Sequence, residues 1–233
     1  IDYRGTFIRD TNDVLGIYKK KLNKPDVIEF IIDNNDIVLF EIQKEINLAM
    51  NSNCNVLEHI NGVQIFNTAS FLDFKILINN SFGKRGIYDS YRGMATFNYK
   101  KFILGGKANA KKYLYVFRGL MAGIHVLQTG IIKPNLYELN KYFKLKEVNE
   151  LINIKKRGNE KMDLPKNLQN GSLEKAIDKL FDKLDKAYEK SKIPEYPDEK
   201  DWNNINSFSK PVNREGHSLW SKLREKSQKD KLS

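Results

Sequence analysis

Thiols are nearly absent: Cys54 is the single cysteine in 233 residues. That excludes a disulfide framework and any Cys-x-x-Cys zinc site, and it suits a reducing compartment. No apolar run approaches the ~18 residues of a membrane-crossing helix, and the mean hydropathy is −0.57. No stretch with a basic start, an apolar middle and a small-residue cleavage site is visible, so the chain reads as cytosolic. The three histidines, His59, His125 and His217, share no metal-ligand spacing. Gly-x-Ser-x-Gly, P-loop and Gly-x-Gly-x-x-Gly patterns do not occur, nor does any repeat at solenoid spacing. Six prolines beside abundant Lys and Asn reflect AT-rich coding, a property of the genome and not of function.

Acidic residues are also in short supply. Lys and Arg number 40 against 29 Asp and Glu, giving a net charge of +11 and a pI of about 9.4. The apolar fraction, 40%, is enough for one core, or for one domain with a small appendage. The charge is concentrated. Residues 84–118 hold nine basic side chains and one acid, Asp89, a net +8. The same stretch holds eight aromatics: Tyr88, Tyr91, Phe97, Tyr99, Phe102, Tyr113, Tyr115 and Phe117. Cations interleaved with rings suit a polyphosphate or a single-stranded nucleic acid. The same pattern also describes a solvated basic helix face whose aromatics point into a core.

Periodicity predicts a short β-rich part followed by helices. Ile1–Ile8 reads as a strand. Val27–Ile32 and Ile37–Ile42 read as a hairpin around Asp33-Asn34-Asn35-Asp36. A helix is predicted over Gln43–Met50, then an Asn-rich break at Asn51–Asn55; Phe71–Leu77 fits helix and strand equally. Helical spacing resumes from Tyr88 and is broken at Gly105-Gly106. The clearest helix is Lys112–Gln128, with an apolar stripe through Leu114, Phe117, Leu120, Ile124 and Leu127 and Gly130 as its cap. Lys112, Tyr115, Arg118 and Ala122 are expected on its opposite face. Pro134 opens a further helix with Leu136, Leu139, Tyr142 and Phe143 inward, and a loop is expected near Arg157–Gln169. Ser172 is expected to cap a helix striped by Leu173, Ile177, Leu180, Leu184 and Tyr188. Beyond Ile193-Pro194 a polar tail is expected, with a short helix at Leu219–Lys226.

The opening Ile-Asp-Tyr-Arg-Gly-Thr-Phe resembles the segment that follows the first catalytic Asp in nucleotidyltransferases of the DNA polymerase β superfamily. Asp2, Arg4 and Gly5 fall on the second Asp, the Arg and the Gly of the pattern Ser-Asp-x-Asp-x-Arg-Gly. The Gly-Ser turn and the first Asp would lie upstream of Ile1. Residues 41–58 are similar to a strand-to-helix segment ending in Asn-Pro-x-x-Leu-Glu, with Cys54 in the Pro position. Residues 88–102 and 111–123 resemble the helical half, where the pattern Lys-Tyr-Phe-Tyr-x-Leu-Arg-Pro meets Gly119 in place of Pro. Ser-Lys-Ile-Pro-Glu-Tyr-Pro-Asp at 191–198 resembles a closing Ser-x-Leu-Pro motif. The nearest branch is bacterial and phage and includes RNA-repair proteins.

The resemblance implies an α+β fold: a partial polymerase-β-like mixed sheet over 1–84, a helical domain for nucleotide and acceptor over 85–192, and a polar tail over 193–233. It also implies a two-Mg²⁺ site and an NTP substrate, with transfer of a nucleoside monophosphate to an acceptor hydroxyl and release of pyrophosphate. Carboxylates suit a hard cation, and Asp-x-Asp on one strand shares a face. Asp2 and Asp36 are the implied catalytic and metal-binding residues. Glu41 is a second choice for the third carboxylate, or instead supports the fold. Lys112, Tyr115 and Arg118 are expected toward the triphosphate, and Arg4 as an anchor for the sheet or a phosphate. Each has a plainer reading as a strand end, a turn residue or a solvated charge. The acceptor is left open among an RNA end, a tRNA and a protein side chain, and no membrane partner is expected. The rival expectation is a non-catalytic nucleic-acid or nucleotide binder, since the first Asp is not in the chain as given.

Overall fold

The computed structural model describes residues 2–7, 26–65, 69–157, 164, 168, 171–205 and 207–208. They form two compact units, one drawn from residues 1–50, 66–81 and 198–233, the other from 51–65 and 82–197. Among the described residues no helix is long and apolar enough to cross a membrane.

The first unit holds a three-stranded mixed sheet, β1 (Asp2–Phe7), β2 (Val27–Ile32) and β3 (Asn35–Glu41), in the order β1-β3-β2. β1 runs parallel to β3, and β2 is antiparallel to it. The hairpin turn is two residues long, because Asp33 (φ 48°) and Asn34 (φ 63°) both take the left-handed region that a tight I′ turn requires. Asn35 and Asp36, expected in the turn, therefore belong to β3. Helix α1 (Ile42–Met50) follows directly and buries Ile42, Ile46, Ala49 and Met50. The ambiguous stretch around Phe71 is helix α3 (Ala69–Asn80), with Phe74 and Ile78 buried.

Part of the expected tail is ordered in this same unit. Residues 199–205 and 207–208 are helical. Asp198 and Asp201 cap that helix by reciprocal backbone-to-carboxylate bonds. Ile205 is buried, Phe208 stacks on Phe74 at 6.0 Å, and Ser81 donates to Asp201. The apolar pair Ile205/Phe208 at helical spacing makes this segment more than a polar tail. The helix expected at Leu219–Lys226 and most of the loop near Arg157–Gln169 lie outside the described residues.

The second unit is helical: α2 (Cys54–Ile60), α4 (Lys84–Asn98), a π-helical turn (Tyr99–Leu104), α5 (Ala110–Thr129), α6 (Leu136–Phe143), α7 (Lys146–Lys156) and α8 (Ser172–Lys190). Helix α5 is its axis, packed by α4, α6, α7 and α8. Asn109 caps its start by accepting from Lys112 N, and Gly130 (φ 73°) ends it in the left-handed conformation. The expected exposed face of α5 does not run its full length. Every residue from Gly119 to Leu127 is buried, Ala122 included, because helices enclose this half on all sides. Gly123 is needed there: a Cβ would stand 2.8 Å from Tyr91 Cβ and 3.0 Å from Leu184 Cδ1.

Three other expectations are corrected. Cys54 sits at the first position of α2 and is buried, not in a polar loop. Tyr142, expected inward, is 52% exposed, since α6 has only eight residues and closes at Lys144 in the left-handed region. Ser172 is the first helical residue of α8; the cap is Gly171.

Candidate functional site

In the first unit, the strand register sets Asp2 beside Asp36, with Arg4 opposite Val38. Neighbouring strands lie about 4.8 Å apart, so these two acidic positions adjoin at one margin of the sheet. Asp36 is half exposed, and Arg4 Nη2 approaches its Oδ2 at 3.7 Å. The margin thus already draws a cation to a solvated carboxylate. Two oxygen-donor residues at adjoining positions suit a hard divalent cation. Among the described residues no group of three or more His, Cys, Asp or Glu side chains converges.

Glu41 is placed elsewhere. It is buried at the other end of β3, where Oε2 accepts from Gln43 N at 2.9 Å and Lys44 N at 3.2 Å. It satisfies the open N–H groups of α1, which is the fold-supporting alternative for this residue.

In the second unit, Lys112 lies in the first turn of α5. Its ammonium stands 3.7 Å from the Phe102 ring centroid and 5.7 Å from that of Tyr115. Lys101 lies over Phe97 at 4.9 Å and Phe102 at 5.4 Å, and Phe97 is 58% exposed. The π-helical turn brings these groups together. It ends where a Cβ on Gly105 would come within 2.4 Å of Lys101 O, and Gly106 follows at φ 70°. Half-exposed lysines over rings form a surface that attracts phosphates and can stack bases.

Arg118, two turns further along α5, is committed to a carboxylate. Its Nη1 donates to Glu58 Oε2, and Nη2 approaches Met94 Sδ at 3.9 Å. The Glu58 side chain is only 7% exposed, and burial pulls the guanidinium below its ordinary pKa. Glu58 was missed by sequence reasoning. The available signal was a carboxylate inside the apolar run Val56-Leu57-Glu58-His59-Ile60, which needs a cationic partner when the helix packs.

The remaining motif residues hold the helical unit together. Asn53 Oδ1 caps α2 by accepting from Asn55 N and Val56 N. Cys54 occupies the first helical position, where Pro is favoured, but its N–H is free to donate to Ser90 Oγ at 2.8 Å. Burial raises the thiol pKa, which leaves it inert. The segment 191–198 closes onto the start of α4. The carbonyls of Pro194 and Glu195 accept from Lys84 N and Arg85 N, and Lys84 Nζ pairs with Glu195 at 3.2 Å. A helix with no side-chain cap at Gly83 is capped by backbone.

The chain matches the RNA repair pathway DNA polymerase beta family (RlaP) over residues 1–210. It belongs to that family. No curated protein and no solved structure matches it. Membership makes the chain a polymerase-β-like nucleotidyltransferase by family, with the α+β fold described above. The four motif stretches now have places in this family member: Asp2 and Arg4 on β1, Glu58 within α2, Arg118 in α5, and residues 191–198 over α4.

Proposed function

We propose that this family member transfers a nucleoside monophosphate from an NTP to an acceptor hydroxyl, most simply an RNA end, and releases pyrophosphate. The observation that carries the reading is the register pairing of Asp2 with Asp36 at an open sheet margin. These two carboxylates would hold divalent cations, Mg²⁺ by charge and hardness. Two such cations, when bound, stabilise the attacking and leaving oxygens of an in-line displacement. Arg4 neutralises Asp36 when no other cation is there and orients a phosphate otherwise. Lys112 supplies positive charge for the triphosphate, held in place by Phe102, and Tyr115 offers a ring to the base or sugar. Arg118 serves this surface only indirectly, by fixing α2 to α5 through Glu58.

The test is incubation of the full-length protein with each labelled NTP, Mg²⁺ and total RNA. Label in RNA with stoichiometric pyrophosphate is expected. Asp36→Asn should reduce it by about 10²–10³-fold, the several kcal/mol attributed to metal-assisted charge stabilisation. Lys112→Gln should raise the KM for NTP more than it lowers kcat. Absence of transfer to RNA, tRNA and protein alike overturns the reading. It would favour a nucleic-acid binder without transfer, a second reading supported by the Lys101–Phe97–Phe102 surface.

A further inference from the structure

Helix α8 sorts its side chains into three strips. Leu173, Ile177, Leu180, Leu184 and Ala187 are buried. The acids turn to one side, where Glu174 accepts from Tyr113 of α5 and Asp185 accepts from Tyr88 and Arg92 of α4. The third strip is lysine. At 3.6 residues per turn, Lys175, Lys179, Lys183, Lys186 and Lys190 fall within about 80° of one another and span about 22 Å. All five are exposed, as is Lys192 beyond the helix end, and none forms an ion pair among the described residues. The exposed carboxylates of Asp178, Asp182 and Glu189 border the row on one side at helical spacing, and its other side opens to solvent.

Two concavities border the row. One of about 430 Å³ lies between Lys175, Lys179, Lys183 and Phe143. The other, of about 710 Å³, lies between Lys183, Lys186, Lys190 and Gly130. Helices α5 and α8 are parallel, because Tyr113 bonds Glu174 at their starts and Ser191 donates to Leu127 O at their ends. The row therefore leads to the end of this unit that carries Lys112.

We propose that the lysine row of α8 is a track for the phosphate backbone of single-stranded RNA, the acceptor of the transfer reaction. In naming the acceptor this rests on the function proposed above. Lysine is a point charge without arginine's planar fork, and successive lysines advance about 6 Å along the axis. Such a ladder follows a repeating monoanion and ignores base sequence. A membrane surface fits less well, since it needs a free apolar face, and the apolar strip of α8 is already buried.

The experiment measures binding of a labelled mixed-sequence RNA 20-mer to the full protein, without NTP or Mg²⁺, across a salt series. Lys179→Gln/Lys183→Gln/Lys186→Gln removes three phosphate contacts. The log–log salt slope should become shallower by about 2, and affinity at 0.15 M salt should fall roughly 50-fold. The matching Lys→Arg triple should keep both slope and affinity. If the Gln triple does not fold, Lys183→Gln alone should change the slope by about 0.7. An unchanged slope overturns the proposal. So does an equal loss from Lys146→Gln/Lys155→Gln/Lys156→Gln on α7, or equally tight binding of polyglutamate or phosphatidylserine vesicles. A protein that binds RNA through this row yet transfers nothing would sink the transfer reading and leave the track standing.

Discussion

In α5 every residue from Gly119 to Leu127 is buried, whereas in β2 five of six residues are exposed. The helical unit wraps an axis, so charge inside it must be paired: Glu58 with Arg118. The sheet unit is thin, so its charged margin stays wet and Asp36 meets Arg4 while half exposed. Exposed pairs contribute little to stability and exchange partners readily, while a buried pair resists both. The buried pair is thus tied to stability, and the exposed one is free to take another partner.

The largest expected effect breaks the buried pair. Arg118→Met leaves the Glu58 carboxylate desolvated and alone, at a cost of about 3–5 kcal/mol in urea unfolding. Arg118→Met/Glu58→Leu should recover most of that loss, because apolar side chains of similar volume replace a buried pair without penalty. The double variant should also keep the wild-type KM for NTP. A double variant no more stable than the single, or one with a raised KM, would return Arg118 to the phosphate surface.

That pair also marks where the sequence stopped being legible. The hairpin was readable because alternation and the Asp33-Asn34 turn are local. So was the stripe of α8, whose Leu173, Ile177, Leu180 and Leu184 repeat at helical spacing and are buried. Glu58 and Arg118 lie 60 residues apart and meet only when α2 packs on α5. A polar stripe counted on an isolated α5 could not reveal that α4 and α8 close around Gly123. At the candidate site, period and composition offered Asp2 and Asp36 separately; their adjacency comes from strand pairing. The lysine row of α8 follows from helical spacing alone, since Lys175, Lys179, Lys183, Lys186 and Lys190 recur at i+3 and i+4.

A buried charge in the sheet unit gives the next effect. Glu45 of α1 is fully buried and accepts from Thr6, and burial, opposed by that hydrogen bond, raises its pKa from 4.5 to about 7. The folded state therefore holds a proton that the unfolded chain has released between these values. Its contribution to stability is greatest below pH 4.5 and is lost as pH rises through 7, by about 3 kcal/mol in all. Glu45→Gln should abolish this dependence and be more stable than wild type at pH 8 by up to that amount. The check is the wild-type minus variant difference in unfolding free energy at pH 4, 6 and 8. A difference that does not move with pH would show that Glu45 ionises freely and that this unit, too, admits water to its interior.

The smallest effect tests the exposed side of the comparison. Ile31 of β2 is 75% exposed. Thr keeps the β-branch that suits a strand and removes apolar surface that folding scarcely buries. Ile31→Thr should therefore shift urea unfolding by no more than about 0.5 kcal/mol. Its register partner is Asp36, so the same variant also probes whether the acidic margin depends on its apolar neighbour. Unchanged transfer would show that the β1–β3 pairing fixes the carboxylates without help from β2. A loss above about 1 kcal/mol would mean that Ile31 is covered in solution, and the thin, wet sheet margin would no longer be the counterpart of the packed helical axis.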